Sequence, residues 1–163
     1  MAAEPLTIQP AHPGEREAVI AIAAETGVFS EEEIVTVAEL FDGYLLDPEA
    51  SGYNFLTAHD SGGVLGFACW GPADLSHGAA ELYWIATSPQ AQGRGVAAAL
   101  FHAVEDAVRA AGRWVISIWT SSLDAYSPAR RFYARMGADL AAQVKDYYDR
   151  GEDLCIYMRH LES

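Results

Sequence analysis

The sequence predicts a mixed α/β domain with a mostly antiparallel, twisted sheet of about seven strands flanked by about four helices. Three observations predict it. Helical and strand-like apolar periods alternate along the chain. Two strand-like runs, residues 53–59 and 64–70, are joined by Asp60-Ser61-Gly62-Gly63, which has the composition of a hairpin turn. Further on, a strand, a long helix and another strand follow one another, as a crossover to a parallel partner requires.

Each element has its own signal. Residues 6–9 read as a short strand ended by Pro10, and residues 14–25 carry Ala18, Val19, Ile22 and Ala23 at helical spacing. Ser30 followed three residues on by Glu33 is a capping-box pattern. The helix it opens bears Ile34, Val37, Ala38, Phe41 and Leu45 and ends before Pro48. After the hairpin, Gly71-Pro72 stops the second run. Residues 80–87 form the next strand, with Glu81, Tyr83 and Ile85 on one face and Leu82, Trp84 and Ala86 on the other. A loop over 88–94 leads to a helix from about Gly95, striped by Val96, Leu100, Phe101, Val104 and Val108, with Gly112 as its C-cap. Residues 114–120 read as a buried strand. Ser127-Pro128 supplies an N-cap with Pro at N1 for a helix that runs through Phe132 and Met136 to Gly137. Residues 140–144 and 154–158 read as closing strands, with the polar stretch 145–153 as a loop flanking the site. No repeat, linker or low-complexity segment divides the chain, so residues 1–163 are expected to form a single domain.

Composition narrows the function classes. Apolar residues make up 51% of the 163, and the formal net charge is -13. Such a surface repels phosphate backbones and anionic lipid, so neither nucleic acid nor membrane is an expected partner. It would draw in a cationic substrate, and it also serves solubility by itself. Cys69 and Cys155 lie in apolar runs without a CxxC pairing, and the five histidines are scattered, so neither a disulfide framework nor a metal site is expected. The first residues lack the basic and apolar regions of a signal peptide. No apolar run reaches the ~20 residues of a membrane span, and a cytoplasmic location is the expectation.

The segment from Glu81 to Leu100 carries the chemistry. A strand ends, a loop with Gly93 and Gly95 follows, and a long helix begins. Glycines let backbone N–H groups turn inward and let a bulky anion approach, while the helix start adds free donors and a positive dipole end. The arrangement is a cradle for a phosphate or diphosphate, with Arg94 as one cation at its lip. A dinucleotide fingerprint wants its first glycine directly after the strand and an acid at the end of the next strand. Here Ser88 to Gln92 intervene and the next strand ends Ser117-Ile118-Trp119-Thr120. A Walker loop needs a Gly-Lys-Ser/Thr that is absent. An ordinary glycine-rich turn before a helix is the competing structural explanation.

At these residues the chain resembles the GNAT superfamily of N-acetyltransferases. Gln92-Gly93-Arg94-Gly95-Val96-Ala97 is similar to its Q/R-x-x-G-x-G/A signature, with Pro89 and Leu100 where the family usually has them. Ser127-Pro128-Ala129-Arg130-Arg131-Phe132-Tyr133-Ala134-Arg135-Met136-Gly137 looks like its A-x-x-F-Y-x-x-x-G helix. The order of elements matches along almost the whole chain. Tyr126 stands where the family often has Asn, and Ala138 where an aromatic is common. The resemblance implies a sheet splayed at its central parallel pair and acetyl-CoA as acyl donor without a metal. Backbone groups of Ile85, Ala86 and Thr87 would pair with the pantetheine arm, and residues Gln92 to Ala97 would hold the diphosphate, mainly through the N–H groups of Gly93, Gly95, Val96 and Ala97. Relatives often dimerise, so a homodimer is among the expected states.

The reaction this implies is acetyl transfer to a primary amine of a small molecule, an amino-acid derivative or a peptide. A protonated amine has no lone pair, so a base is required. Glu81, on the strand leading into the loop, is the first candidate, and Glu33 and Glu32 are weaker ones. Tyr133 matches the family's general acid for the departing thiolate. Tyr83, Trp119, Tyr126 and Tyr147, with Trp84 and Tyr148, could line an acceptor pocket or could be plain core aromatics. A non-catalytic acyl-CoA-binding module with the same fold is the alternative function.

Overall fold

The computed structural model of the protein describes residues 4–162. Its strands are β1 (Thr7–Pro10), β2 (Asn54–Asp60), β3 (Gly63–Pro72), β4 (Ala79–Thr87), β5 (Val115–Ser121), β6 (Asp139–Asp149) and β7 (Glu152–His160). Its helices are α1 (Arg16–Glu25), α2 (Glu31–Leu46), the short α3 (Pro48–Ser51), α4 (Val96–Ala110) and α5 (Ser127–Arg135). The seven-stranded sheet has the order β1-β2-β3-β4-β5-β7-β6, with β4 and β5 parallel and the registered pairs β1–β2, β2–β3, β5–β7 and β6–β7 antiparallel. No described helix is long and apolar enough to cross a membrane.

The chain forms two compact units. The first runs up to Gly71 and includes Trp84–Val104. Its core is aromatic: Phe55 meets Phe41 edge-on at 5.0 Å and stacks on Phe67 at 6.3 Å. All three are fully buried, and each contributes about 1.5–3 kcal/mol by leaving water. α2 starts as its sequence pattern demands. The Ser30 backbone N–H donates to Glu33 Oε2 at 2.7 Å, and the Glu33 N–H donates to Ser30 Oγ at 3.1 Å. Buried Glu15 accepts from the Thr57 hydroxyl at 2.9 and 3.0 Å and from the His12 N–H at 3.1 Å, so its carboxyl oxygens are used inside the fold.

The second unit comprises Pro72–Tyr83 and residues from Glu105 onward. Here β4 pairs with β5 from Ala79↔Val115 to Leu82↔Ile118, and β5 pairs with β7 over its whole length. The face bearing Ile116, Ile118 and Tyr157 is buried. On it, Arg159 reaches from β7 to the buried carboxylate of Glu105 on α4, Nε to Oε2 at 3.0 Å. α5 is held at its start by Arg130, whose Nη1 donates to the carbonyls of Ser121 and Leu123 at 2.6 and 2.9 Å.

Two expectations need correction. The stretch 145–153 is not a loop: β6 continues to Asp149, β7 begins at Glu152, and the turn between them uses Gly151 at φ 80. The excursion is taken up by Asp146, at φ 55, whose N–H donates to Asp153 Oδ1 at 3.0 Å and whose Oδ1 accepts from the Gly151 N–H at 2.8 Å. β3 does stop at Gly71-Pro72, which are its last two residues. Ser127 lies inside α5 rather than capping it, and its hydroxyl accepts from Arg131 Nη1 at 2.6 Å.

Candidate active site

In the first unit, the loop between β4 and α4 has the geometry of an anion cradle. A 3-10 turn over Pro89–Ala91 leads into it, and Gly93 and Gly95 both adopt left-handed backbone, φ 81 and 75. A Cβ at either position would meet nothing within 4 Å, so both glycines border open space and serve backbone conformation rather than tight packing. The loop's own turns use the N–H groups of Ala91, Gln92 and Arg94, which donate to the carbonyls of Ser88, Pro89 and Ala91. The Ala99 N–H donates to Gly95 O at 3.0 Å, so Val96, Ala97 and Ala98 precede that first turn of the ladder. The N–H groups expected to hold a diphosphate are therefore not the ones spent on the turns. Gln92 to Gly95 are exposed, while Val96 is buried and anchors the helix start.

Arg94 has a partner the sequence did not suggest. Its Nη1 donates to Asp60 Oδ2 at 2.9 Å. Asp60 ends β2, and its other oxygen accepts from the Gly62 N–H at 2.8 Å. The guanidinium, seconded by the Gly62 N–H, holds the Asp60 carboxyl below the usual carboxylate range. The only signal for Asp60 was its place in a turn composition. Beside the loop strand, the Cβ that an alanine would place at Gly66 of β3 comes 2.8 Å from Ala86 O, so β3 passes close to the backbone of the β4 segment that holds Ile85, Ala86 and Thr87. Trp84 packs on Phe29, centroids 6.4 Å apart. Glu33 uses its carboxylate on the α2 cap, as its pattern implies, and Glu32 is exposed.

In the second unit, the predicted residues divide between the two faces of the sheet. Registered partners share a face, so Glu81 lies beside Ser117. Ser117 Oγ accepts the Trp119 indole N–H at 3.1 Å, and Trp119 meets Tyr147 edge-on at 6.1 Å. Tyr147 in turn meets Tyr148 at 5.1 Å. The structure thus gathers Glu81, Trp119 and Tyr147 on one face, with Trp119 and Tyr147 half exposed. Tyr133 belongs to the opposite face. It packs against Tyr157, which is registered with Ile118. Only 8% of Tyr133 is exposed, and burial pushes its phenol up to about 12. Tyr126 sits at the N-cap of α5 and is half-buried.

Along β4 the expected alternation of faces holds through Leu82. It breaks at Tyr83, Trp84 and Ile85, all three of which are partly exposed. The break comes directly after Leu82↔Ile118, the last registered pair with β5.

The comparisons agree with this geometry. A family model described as an acetyltransferase (GNAT) domain matches residues 51–137. A GNAT-family structure from Desulfovibrio desulfuricans is 33% identical, covers 97% of this chain and 100% of its own, and superposes with a TM-score of 0.93. A Salmonella typhimurium structure solved with its cofactor acetyl-CoA is 20% identical, with 97% and 95% covered and a TM-score of 0.75. The Escherichia coli ribosomal-protein-S18-alanine N-acetyltransferase is also 20% identical, with 98% and 96% covered and a TM-score of 0.76. These last two share the fold. A search of curated proteins returns no match. The chain belongs to the GNAT acetyltransferase family.

Proposed function

We propose that the chain is a cytoplasmic N-acetyltransferase that moves the acetyl group of acetyl-CoA directly to a primary amine, with residues 1–163 acting as one catalytic domain. The observation that carries this reading is the division of the second unit's sheet. Glu81 lies on one face, buried Tyr133 on the other, and the parallel register ends at Leu82↔Ile118. A base and a proton donor on opposite faces suit a transfer in which the amine arrives from one side and the thioester from the other.

Acetyl-CoA supplies the activated acyl group. Glu81 takes the ammonium proton, directly or through water, and frees the lone pair. As the carbon–nitrogen bond forms and the carbon–sulfur bond breaks, Tyr133 donates its phenolic proton to the sulfur, and the second proton that the nitrogen sheds on becoming an amide passes through water to reprotonate the phenolate, so thiol, amide and one proton on Glu81 account for every atom. A phenol pushed up to about 12 stays protonated throughout the neutral range, which is the state a donor needs. The N–H groups of Gly93, Gly95, Val96 and Ala97 hold the diphosphate, and Ile85, Ala86 and Thr87 offer backbone partners to the pantetheine arm. Trp119 and Tyr147, with Tyr83 and Tyr126, form the acceptor side. Exposed rings in a chain of net charge -13 favour a cationic amine over a neutral or acidic one.

The test is thiol release from acetyl-CoA in the presence of a panel of primary amines, cationic and neutral. Release that depends on an amine and yields the N-acetyl product supports the reading. Tight CoA binding without turnover on any amine moves the assignment to a non-catalytic acyl-CoA-binding module.

A further inference from the structure

We propose that Asp60 is a positioning residue for the diphosphate of the acyl donor, acting through Arg94. The inference rests on the acetyl-CoA reading above and adds to it a residue outside both family motifs.

Arg94 stands between two left-handed glycines, Gly93 and Gly95, on an exposed loop. Left to itself, its long side chain would sample many rotamers, and ordering it would weaken binding. Asp60 removes that freedom beforehand. The carboxylate is itself fixed, since Oδ1 accepts from the Gly62 N–H at 2.8 Å while Oδ2 accepts from Arg94 Nη1 at 2.9 Å. The Asp60 side chain is only 9% exposed, whereas Arg94 remains 33% exposed. The less exposed end of the pair is thus the anchor and the more open end is the guanidinium. A guanidinium has five N–H donors in a planar fork, so one bond to Asp60 leaves others for a phosphate oxygen.

Two effects compete. The fixed carboxylate orients Arg94, which helps a diphosphate bind, and its negative charge repels the same anion. The ion pair compensates that charge, while the orienting effect is undiminished, so the net contribution is favourable. A simple staple between the β2–β3 hairpin and the loop would show the same two bonds, and the experiment must separate it from the proposal.

The experiment compares Asp60→Asn with the unaltered full chain, using two acyl donors. Asn retains the oxygen that accepts from Gly62 and loses the charge that holds Arg94. The expected result is a KM for acetyl-CoA raised about threefold to tenfold with kcat held, matching the loss of one pre-ordered side-chain contact. With S-acetylpantetheine, which has no diphosphate, KM should not move. Inorganic pyrophosphate as a competitor of acetyl-CoA gives a second readout, and its inhibition constant should rise by the same factor. In an Arg94→Ala background, Asp60→Asn should add nothing. Equal losses on both donors would make Asp60 a staple, and tighter acetyl-CoA binding would make it a competitor for Arg94. Either result overturns the proposal. Calorimetry on the unaltered chain separates the layers: no acetyl-CoA binding there refutes the parent reading and this one with it, whereas binding left intact by Asp60→Asn refutes only the role of Asp60.

Discussion

The ring of Tyr133 lies 6.1 Å from that of Tyr157 with a tilt of 48°, on the face of the sheet opposite Glu81 and Trp119. The contact holds the ring, and the hydroxyl is the atom group to which the proposed proton donation belongs. Tyr133→Phe keeps the ring and should therefore keep the fold, with stability within about 1 kcal/mol of the parent. It should lower kcat by about 100-fold or more, the usual worth of a positioned acid, while KM for acetyl-CoA changes little. Steady-state kinetics beside a denaturant titration checks both halves.

The same burial has a consequence for stability at high pH. The Tyr133 phenol is raised from 10.0 to about 12 in the folded chain. The folded state thus holds this proton more tightly than the unfolded state. The associated stability is complete below pH ~10 and is lost as pH rises from there through ~12. The loss should reach about 2–3 kcal/mol by the top of that window. Tyr133→Phe should flatten the alkaline decline by that amount. Tyr44, also raised by burial, will contribute a residual slope in both proteins. Urea unfolding at a series of alkaline pH values measures the difference.

Gly95 has φ 75 and nothing near a prospective Cβ. The cost of Gly95→Ala is then backbone strain without a steric clash, about 1 kcal/mol. Because the strain falls on the residue that opens α4, acetyl-CoA affinity should fall along with stability. Thermal unfolding and calorimetric titration read the two effects. Unchanged affinity in a destabilised variant would detach Gly95 from the diphosphate.

Glu105 and Arg159 form an ion pair whose acid is buried and whose base is partly exposed. Glu105→Ala leaves the partly exposed guanidinium without this partner and should cost about 1–3 kcal/mol, less than stranding a fully buried charge. Replacing both residues by Met should cost much less, since no charge is then stranded. A denaturant series on the single and double variants tests the pair without reference to catalysis.

Much of the fold was legible because its signals are local. Ser30 and Glu33 form the capping box their spacing announces, and Gly137 ends α5 at φ 87. The turn of the loop before α4 was legible for the same reason, since Gly93 and Gly95 are residues that take left-handed backbone at little cost. What escaped depends on distant partners. Residues Lys145 to Asp149 look like a loop by composition, yet β6 keeps them as strand because Asp153 supplies acceptors for Asp146 and Gln143. Arg94 and Asp60 are 34 residues apart, and no local pattern links them. The face of Trp119 could be read from alternation along β5, but its pairing with Tyr147 required knowing where β6 runs.

The most direct test of the central claim follows the acetyl group itself. The chain is incubated with acetyl-CoA carrying a labelled acetyl group and a cationic primary amine, and the amine product is analysed by mass spectrometry against Tyr133→Phe and Glu81→Gln. The account predicts one labelled acetyl per amine nitrogen in step with thiol release, with both variants severely slowed while still binding acetyl-CoA. Label transfer that is undiminished in both variants, or no transfer to any amine despite bound acetyl-CoA, would contradict it.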